Sequence, residues 1–476
     1  MELIEQEETL VACNSSVDVH TAPTPVSLSS KADRACTTTL VQTETELDAL
    51  ENAWNELALQ SDVSVFQTFE WLRTWWTFFS KGRQLHCLVF KSQNRVVGIA
   101  PIFKEELKVL GLRTSTHLQF MGSPLSDYTD VIILPGQEQV VLDALAIYLR
   151  STCGEWDVFD MENVSEKSNA WKLLTRLLDT HGIPMFNHNG TVCQQITLPP
   201  TYDLFLQGLG PHVRDNLQRK CKRLQKEQTV EYEIFRNETD DIPFAVEAFA
   251  RIHGDRWRSL GYPSAFDDGG LLQFHTEVAR KFARRGWLRL AFLKVDNQRV
   301  AVDFSFSYKN RLYMYQCNAF GPERIMKCSP GSLVKVLSIQ RAIGEGVRIL
   351  DLMRGNEPYK RWEWKATSSS NWMIRGISPY RSGRFRAFLY LSYELFFKSR
   401  RRLQREYYEF RRFRIRNRTT SVSTIRYAIS RIAALSRLGG NYVAEHLRFR
   451  NRETLPNLGG KNSDSLSVRR ASSSFG

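Results

Sequence analysis

From about Leu40 onward the chain alternates between stretches of helical period and stretches of strand period. Residues 43–59 predict a helix, and FQTFEWLRTWWTFF (66–79) predicts an aromatic helix whose bulk belongs in a core. Two further segments, 85–103 and 288–306, each run apolar strand, polar turn, apolar strand, and they align with one residue of offset. Strand and helix signals of similar order follow both copies, so a duplicated α/β unit is predicted, with halves at 39–195 and 196–374. In the second half, 211–228 predicts a helix with Val213, Leu217, Cys221 and Leu224 on one side and a crowd of Arg and Lys around the rest. The helix predicted over 244–260 brings Arg256 and Trp257 to its far end. Along 300–308 the strand alternates: Val300, Val302, Phe304, Phe306 and Tyr308 share one face, and Ala301, Asp303, Ser305 and Ser307 the other. Asp303 is thus a carboxylate in mid-strand, which needs a partner or a function if that strand is internal.

The densest pattern is SPGSLVKVLSIQRAIGEGVRILDLMRGNEPYKRWEW, residues 329–364. Ser329 is an N-cap residue type, Pro330 suits the first helical position, and Gly331 and Ser332 leave backbone N–H groups open to an anion. Leu333, Val336, Leu337 and Ile343 continue at helical spacing, and Gly344 or Gly346 can end the helix in a left-handed turn. A short apolar strand over 348–353 follows. The polar loop after it, 354–360, is the predicted place for chemistry.

Composition narrows the classes. With 476 residues, 42% hydrophobic and 24% charged, the chain reads as a soluble globular protein of two or more domains. Its eight cysteines form no CxxC pair and have no companion His cluster, which argues against a disulfide framework or a zinc site and for a reducing cytoplasm. No N-terminal basic-then-apolar pattern is present, and the longest apolar stretches fall short of the roughly 20 residues of a spanning helix. Residues 1–38 read as a flexible leader. The formal charge of +14 suggests nucleic acid until it is located. Residues 375–476 hold 23 Lys or Arg against 6 Asp or Glu, an excess of 17 that leaves residues 1–374 at −3. The excess belongs to a basic helical and disordered tail. Within it, 385–418 mixes aromatics with dense Arg, the pattern of an amphipathic helix on an anionic membrane surface; single-stranded nucleic acid is the less favoured partner.

The segments FQTFEWLRTWW, HLQFMGSPLSDYTDVIILP, HVRDNLQRKCKRL, RIHGDRWRSLG, SPGSLVKV and DLMRGNEPYKRWEW together resemble the CelD/BcsL family of acyltransferases found in bacterial exopolysaccharide and cellulose gene neighbourhoods. The likeness covers about residues 40–374. That family belongs to the GNAT superfamily and is similar to the Fem-type transferases, in which two GNAT-like halves are fused. The resemblance implies an α/β (α+β) fold of two tandem GNAT-like halves, with mixed, mostly antiparallel sheets flanked by helices. It further implies transfer of an acyl group, acetyl being favoured, from acyl-CoA to an amine or hydroxyl of a polysaccharide, glycolipid or other envelope precursor, with no metal. Such a protein would work in the cytoplasm or peripherally at the inner face of the cytoplasmic membrane. The usual pyrophosphate loop, Q/R-x-x-G-x-G/A, is absent and CSPGSL stands in its place, so Ser329, Gly331 and Ser332 are the expected cofactor-binding positions. Direct transfer needs a base, for which Asp303 is the candidate, and an acid toward the departing thiolate, for which Tyr359 is the candidate. Arg354 and Lys360 suit a phosphate or acidic sugar, and Arg256 and Trp257 complete the expected substrate contacts. Two alternatives remain: a catalytically silent GNAT-fold scaffold, and a Fem-like transferase using aminoacyl-tRNA.

Overall fold

Residues 36–390, apart from 110, 111, 268, 363 and 381, are described by a computed structural model of the protein. The first 35 residues of the expected leader and positions 391–476 of the basic tail lie outside the described residues. The N-terminal half contributes β1 (Thr37–Val41), β2 (Arg83–Leu85), β3 (Cys87–Ser92), β4 (Arg95–Ala100), β5 (Ile102–Val109), β6 (Leu112–Phe120), β7 (Ile132–Ile133), β8 (Val158–Ser165) and β9 (Met185–Thr197). The C-terminal half contributes β10 (Val230–Phe235), β11 (Leu288–Val295), β12 (Gln298–Tyr308), β13 (Arg311–Ala319), β14 (Ile349–Arg354) and β15 (Thr367–Ile377).

The two similar segments are indeed hairpins, β3–β4 and β11–β12. Both turn on two left-handed residues, Gln93–Asn94 and Asp296–Asn297, the conformation that a two-residue hairpin loop of right-handed strand twist requires. The repetition extends further. In the first half β1, β3 and β4 pair antiparallel, the chain passes Pro101 into β5, β5 pairs antiparallel with β6, and β6 pairs in parallel with β8. In the second half β10 to β13 pair antiparallel in order and β13 pairs in parallel with β14. Each parallel step is bridged by a helix, Glu138–Ser151 in the first half and Pro330–Gly344 in the second. The final strands are exchanged: β9 pairs with β14, β15 pairs with β8, and the two pair with one another. One sheet of 11 strands, ordered β10-β11-β12-β13-β14-β9-β15-β8-β6-β5-β2, therefore runs through both halves.

Helices from the two halves share one apolar core. The aromatic helix Phe69–Phe79 buries Trp71, which meets the Phe274 ring at 5.2 Å and the Phe306 ring at 6.0 Å. From Val302 onward strand β12 alternates as its sequence predicts: Val302, Phe304, Phe306 and Tyr308 enter this core, while Asp303 and Ser305 are buried on the opposite face, toward the helix Pro330–Gly344. Val300, expected on the first face, instead joins Ala301 in a separate cluster. The basic helix Pro211–Glu227 packs through Leu224 and Cys221 against one cluster, and through Val213 and Leu217 against another. None of the described helices is long and apolar enough to cross a membrane.

Candidate active site

The parallel ladder between β13 and β14 lasts three residues, Arg311–Tyr313 against Ile349–Asp351, and then stops. Met353 is left-handed (φ 57°), a conformation that bulky side chains avoid, and the register of β14 shifts there. The strands diverge and a cavity of about 310 Å³ opens, with Met314, Tyr315, Gln316 and Cys317 on one side and Leu352, Met353 and Arg354 on the other. The helix Pro330–Gly344 contributes Lys335, the short helix Pro358–Trp362 contributes Tyr359 and Lys360, and the segment after β6 contributes Leu125 and Asp127. The cavity of the second half thus has a wall from the first.

Of the residues expected from sequence, Tyr359, Arg354 and Lys360 line this cavity. The Tyr359 hydroxyl accepts a hydrogen bond from Lys335 Nζ at 2.9 Å, and that ammonium also stands 4.9 Å from the ring centroid. Burial opposes the Lys335 charge, but Cys317, Tyr359 and Asp303 around it hold its pKa above the usual lysine value. Arg354 and Lys360 are engaged within the protein. The Arg354 side chain grips Asp127 through Nε and donates to the Pro124 carbonyl at 2.8 Å, while its backbone N–H reaches Asp127 at 3.0 Å. Lys360 is 4% exposed and donates to the Arg354 carbonyl at 3.2 Å, beside the Glu357 carboxylate at 2.9 Å. Their positions fit the expectation of a charged loop, and their partners reduce what they can offer a ligand.

Asp303 stands elsewhere. It is fully buried on β12, opposite Cys317 of β13, and accepts a hydrogen bond from Ser305 at 2.7 Å. Burial lifts its pKa to about 6 against the opposing pull of Ser305, Ser338 and Lys335. It is one strand behind the cavity wall, whereas the carboxylates in the lining are Asp127 and Glu357. Asp127 is 2% exposed, and burial raises its pKa although Arg354 and Lys360 pull it down. Arg256 and Trp257 are exposed at the end of the helix Ile242–Ser259 and do not line the cavity.

Ser329 departs from the expected cap. It sits at the N-cap position with φ 53° and ψ 56°, a left-handed turn in which its side chain makes no capping bond. Instead its hydroxyl accepts from Lys220 Nζ at 2.8 Å. Pro330 opens the helix as expected, and Gly346 (φ 82°) supplies the left-handed turn after it. Ser329, Gly331 and Ser332 lie outside the cavity lining, but Gly331 is one helical turn before Lys335 and its carbonyl is 3.6 Å from Cys317 Sγ. A helix start flanked by a lysine, followed one turn later by a cation in a cavity, fits an extended anionic ligand with a reactive end. Among the described residues no group of three or more His, Cys, Asp or Glu side chains is arranged to hold a metal.

Asp127 and Lys335 are the residues that sequence reasoning passed over. A lysine in an apolar helix, as in SLVKV, and an aspartate in a loop, as in SDYTD, have the pattern of solvated positions until the chain is folded.

The crystal structure of FemX resembles this fold at a TM-score of 0.50 with 10% identity, covering 71% of this chain and 96% of that one. The C-terminal domain (DUF2156) of a putative lysylphosphatidylglycerol synthetase from Agrobacterium fabrum superposes at 0.43 with 10% identity, over 72% of this chain and 95% of its own. A tandem GNAT protein from the clavulanic acid biosynthesis pathway gives 0.41 with 10% identity, over 72% and 100%. No curated protein matches the sequence. Residues 211–361, which supply both diverging strands, Lys335 and Tyr359, match the acetyltransferase (GNAT) domain family.

Proposed function

We propose that the protein transfers an acyl group, in the simplest case acetyl, from acyl-CoA to an amine or hydroxyl of a polysaccharide, glycolipid or other envelope precursor, as the CelD/BcsL resemblance implies, and that it does so against the inner face of the cytoplasmic membrane. The observation that carries this reading is the cavity between the diverging strands β13 and β14, where Lys335, Tyr359 and Asp127 converge inside the matched domain and its N-terminal wall.

In this reading the start of the helix Pro330–Gly344, with Lys220 beside it, receives the pyrophosphate of the donor, and the thioester lies near Cys317 and Lys335. The acceptor attacks the thioester carbonyl carbon. Asp127 takes the proton that the nucleophile loses, Lys335 stabilises the oxyanion, and the C–S bond then breaks with Tyr359 protonating the departing thiolate. Asp127 is preferred to Asp303 as base because it reaches the cavity; Asp303 supports the Lys335 charge from behind the wall. The engagement of Arg354 and Lys360 by protein partners favours a second reading, a catalytically silent scaffold. Thiol release from acetyl-CoA and longer acyl-CoAs, measured with amine and hydroxyl sugar acceptors, separates the two. Labelling that depends on aminoacyl-tRNA and not on acyl-CoA supports the Fem-like alternative instead.

A further inference from the structure

We propose that Phe385, Phe388 and Leu389, with Tyr380 beside them, form the surface by which the protein docks onto an anionic lipid bilayer. The inference rests on the reading above that the protein works against a membrane, and it assigns the surface that meets it. After β15 the chain enters a helical segment over 382–390 whose inner side is fixed to the body. Gly383 packs so closely that a Cβ there would sit 2.8 Å from the Ser378 Cβ. Ala387 is fully buried with Val158 and Ile377, Arg386 donates to Asp157 at 2.9 Å, and the Tyr390 ring meets His117 edge-on at 4.1 Å. These contacts prevent the segment from rolling. Its other side is held outward: Phe385 is 62% exposed, Phe388 64%, Leu389 40% and Tyr380 56%.

Large apolar side chains gathered on one turn, with Arg384 exposed among them, have the composition of an interfacial helix, in which rings enter the acyl boundary and guanidinium groups remain at the headgroups. The sequence immediately beyond adds the charge. Residues 391–418 contain ten Lys or Arg and three Glu, which complements a leaflet rich in anionic lipid. A second copy of this chain would meet the same positive charge on both sides, which disfavours self-association through this face.

The test is flotation of the full chain with vesicles of phosphatidylcholine, with and without phosphatidylglycerol, comparing wild type with the double variant Phe385→Ser/Phe388→Ser. The expected result is flotation that requires phosphatidylglycerol and falls about tenfold or more in the double variant, since each ring removed from the interface forfeits apolar transfer. Thermal unfolding and thiol release with a soluble acceptor are measured on the same samples and are expected to be unchanged, so loss of docking is distinguishable from failure of the transferase reading. No flotation of the wild type, or equal flotation of both proteins, overturns the proposal. So does an RNA gel shift, or a concentration-dependent dimer, that the double variant abolishes while vesicle binding stays the same.

Discussion

Lys335 and Tyr359 meet across the cavity, the ammonium 2.9 Å from the phenol oxygen, and they reach it from two different helices. The ammonium is a donor only, so the phenol accepts from it and keeps its own proton for a third group. That third position is where a departing thiolate would sit. Tyr359→Phe is therefore expected to lower kcat for thiol release by about 10²-fold or more, the range of a lost general acid, with KM for acyl-CoA little changed. Lys335→Ala is expected to cost about 10²–10³-fold in kcat through lost oxyanion stabilisation. Steady-state kinetics of both variants check this; an unchanged kcat in either removes that residue from the chemistry.

Asp127 belongs to one half and Arg354 to the other, and their pairing is expected to set the acidic limb of the pH–rate profile if Asp127 is the base. Asp127 must be ionised to act as base, and its raised pKa places that limb above the ordinary aspartate value of about 3.9. Arg354→Ala removes the cation that opposes the shift and is expected to move the limb to higher pH; Asp127→Asn is expected to lose most of the activity at every pH. A limb that stays in place when Arg354 is removed contradicts the assignment.

Asp303 offers a test of stability. Its folded pKa of about 6 lies above the unfolded value, so the folded protein binds this proton more tightly than the unfolded chain. Stability from this group is fully present below about pH 4 and is lost as pH rises to about 6, a change on the order of 3 kcal/mol for roughly two pKa units. Asp303→Asn is expected to flatten that part of the curve, as urea unfolding at pH values on either side of the window would reveal. An undiminished slope between about pH 4 and 6 in the variant would assign it to other groups.

The seam between the exchanged strands has no room at Gly190. A Cβ at that position would stand 2.9 Å from the Asn371 carbonyl oxygen of β15, and backbone cannot move aside as a side-chain tip can. Gly190→Ala is expected to destabilise the protein by about 1–3 kcal/mol, measured by chemical denaturation, even though the position is exposed.

Local pattern carried the elements and failed at their meeting points. The alternation over 302–308 was legible because the two buried faces of β12 meet different surroundings, large apolar side chains on one and small or polar ones on the other, and the apolar stripe of the 211–228 segment because one face of that helix packs. The helix from Pro330 and the strand over 348–353 were readable from spacing, and with them the loop that holds Tyr359. Asp127 was not, because its partner Arg354 is 227 residues away and nothing near Asp127 in the chain marks which half it faces. Ser329 misled for a different reason. Its residue type suits a cap, but the left-handed backbone turns its hydroxyl toward Lys220, an outcome fixed by the packing of two helices rather than by the local sequence.

Calorimetric titration of the full chain with coenzyme A tests the central claim most directly. Saturable one-to-one binding is expected, weakened about tenfold or more by Lys220→Ala at the helix start and by Lys335→Ala in the cavity, as loss of a charge-assisted contact predicts. Absence of binding, or binding that neither substitution changes, would contradict a donor site along the helix Pro330–Gly344.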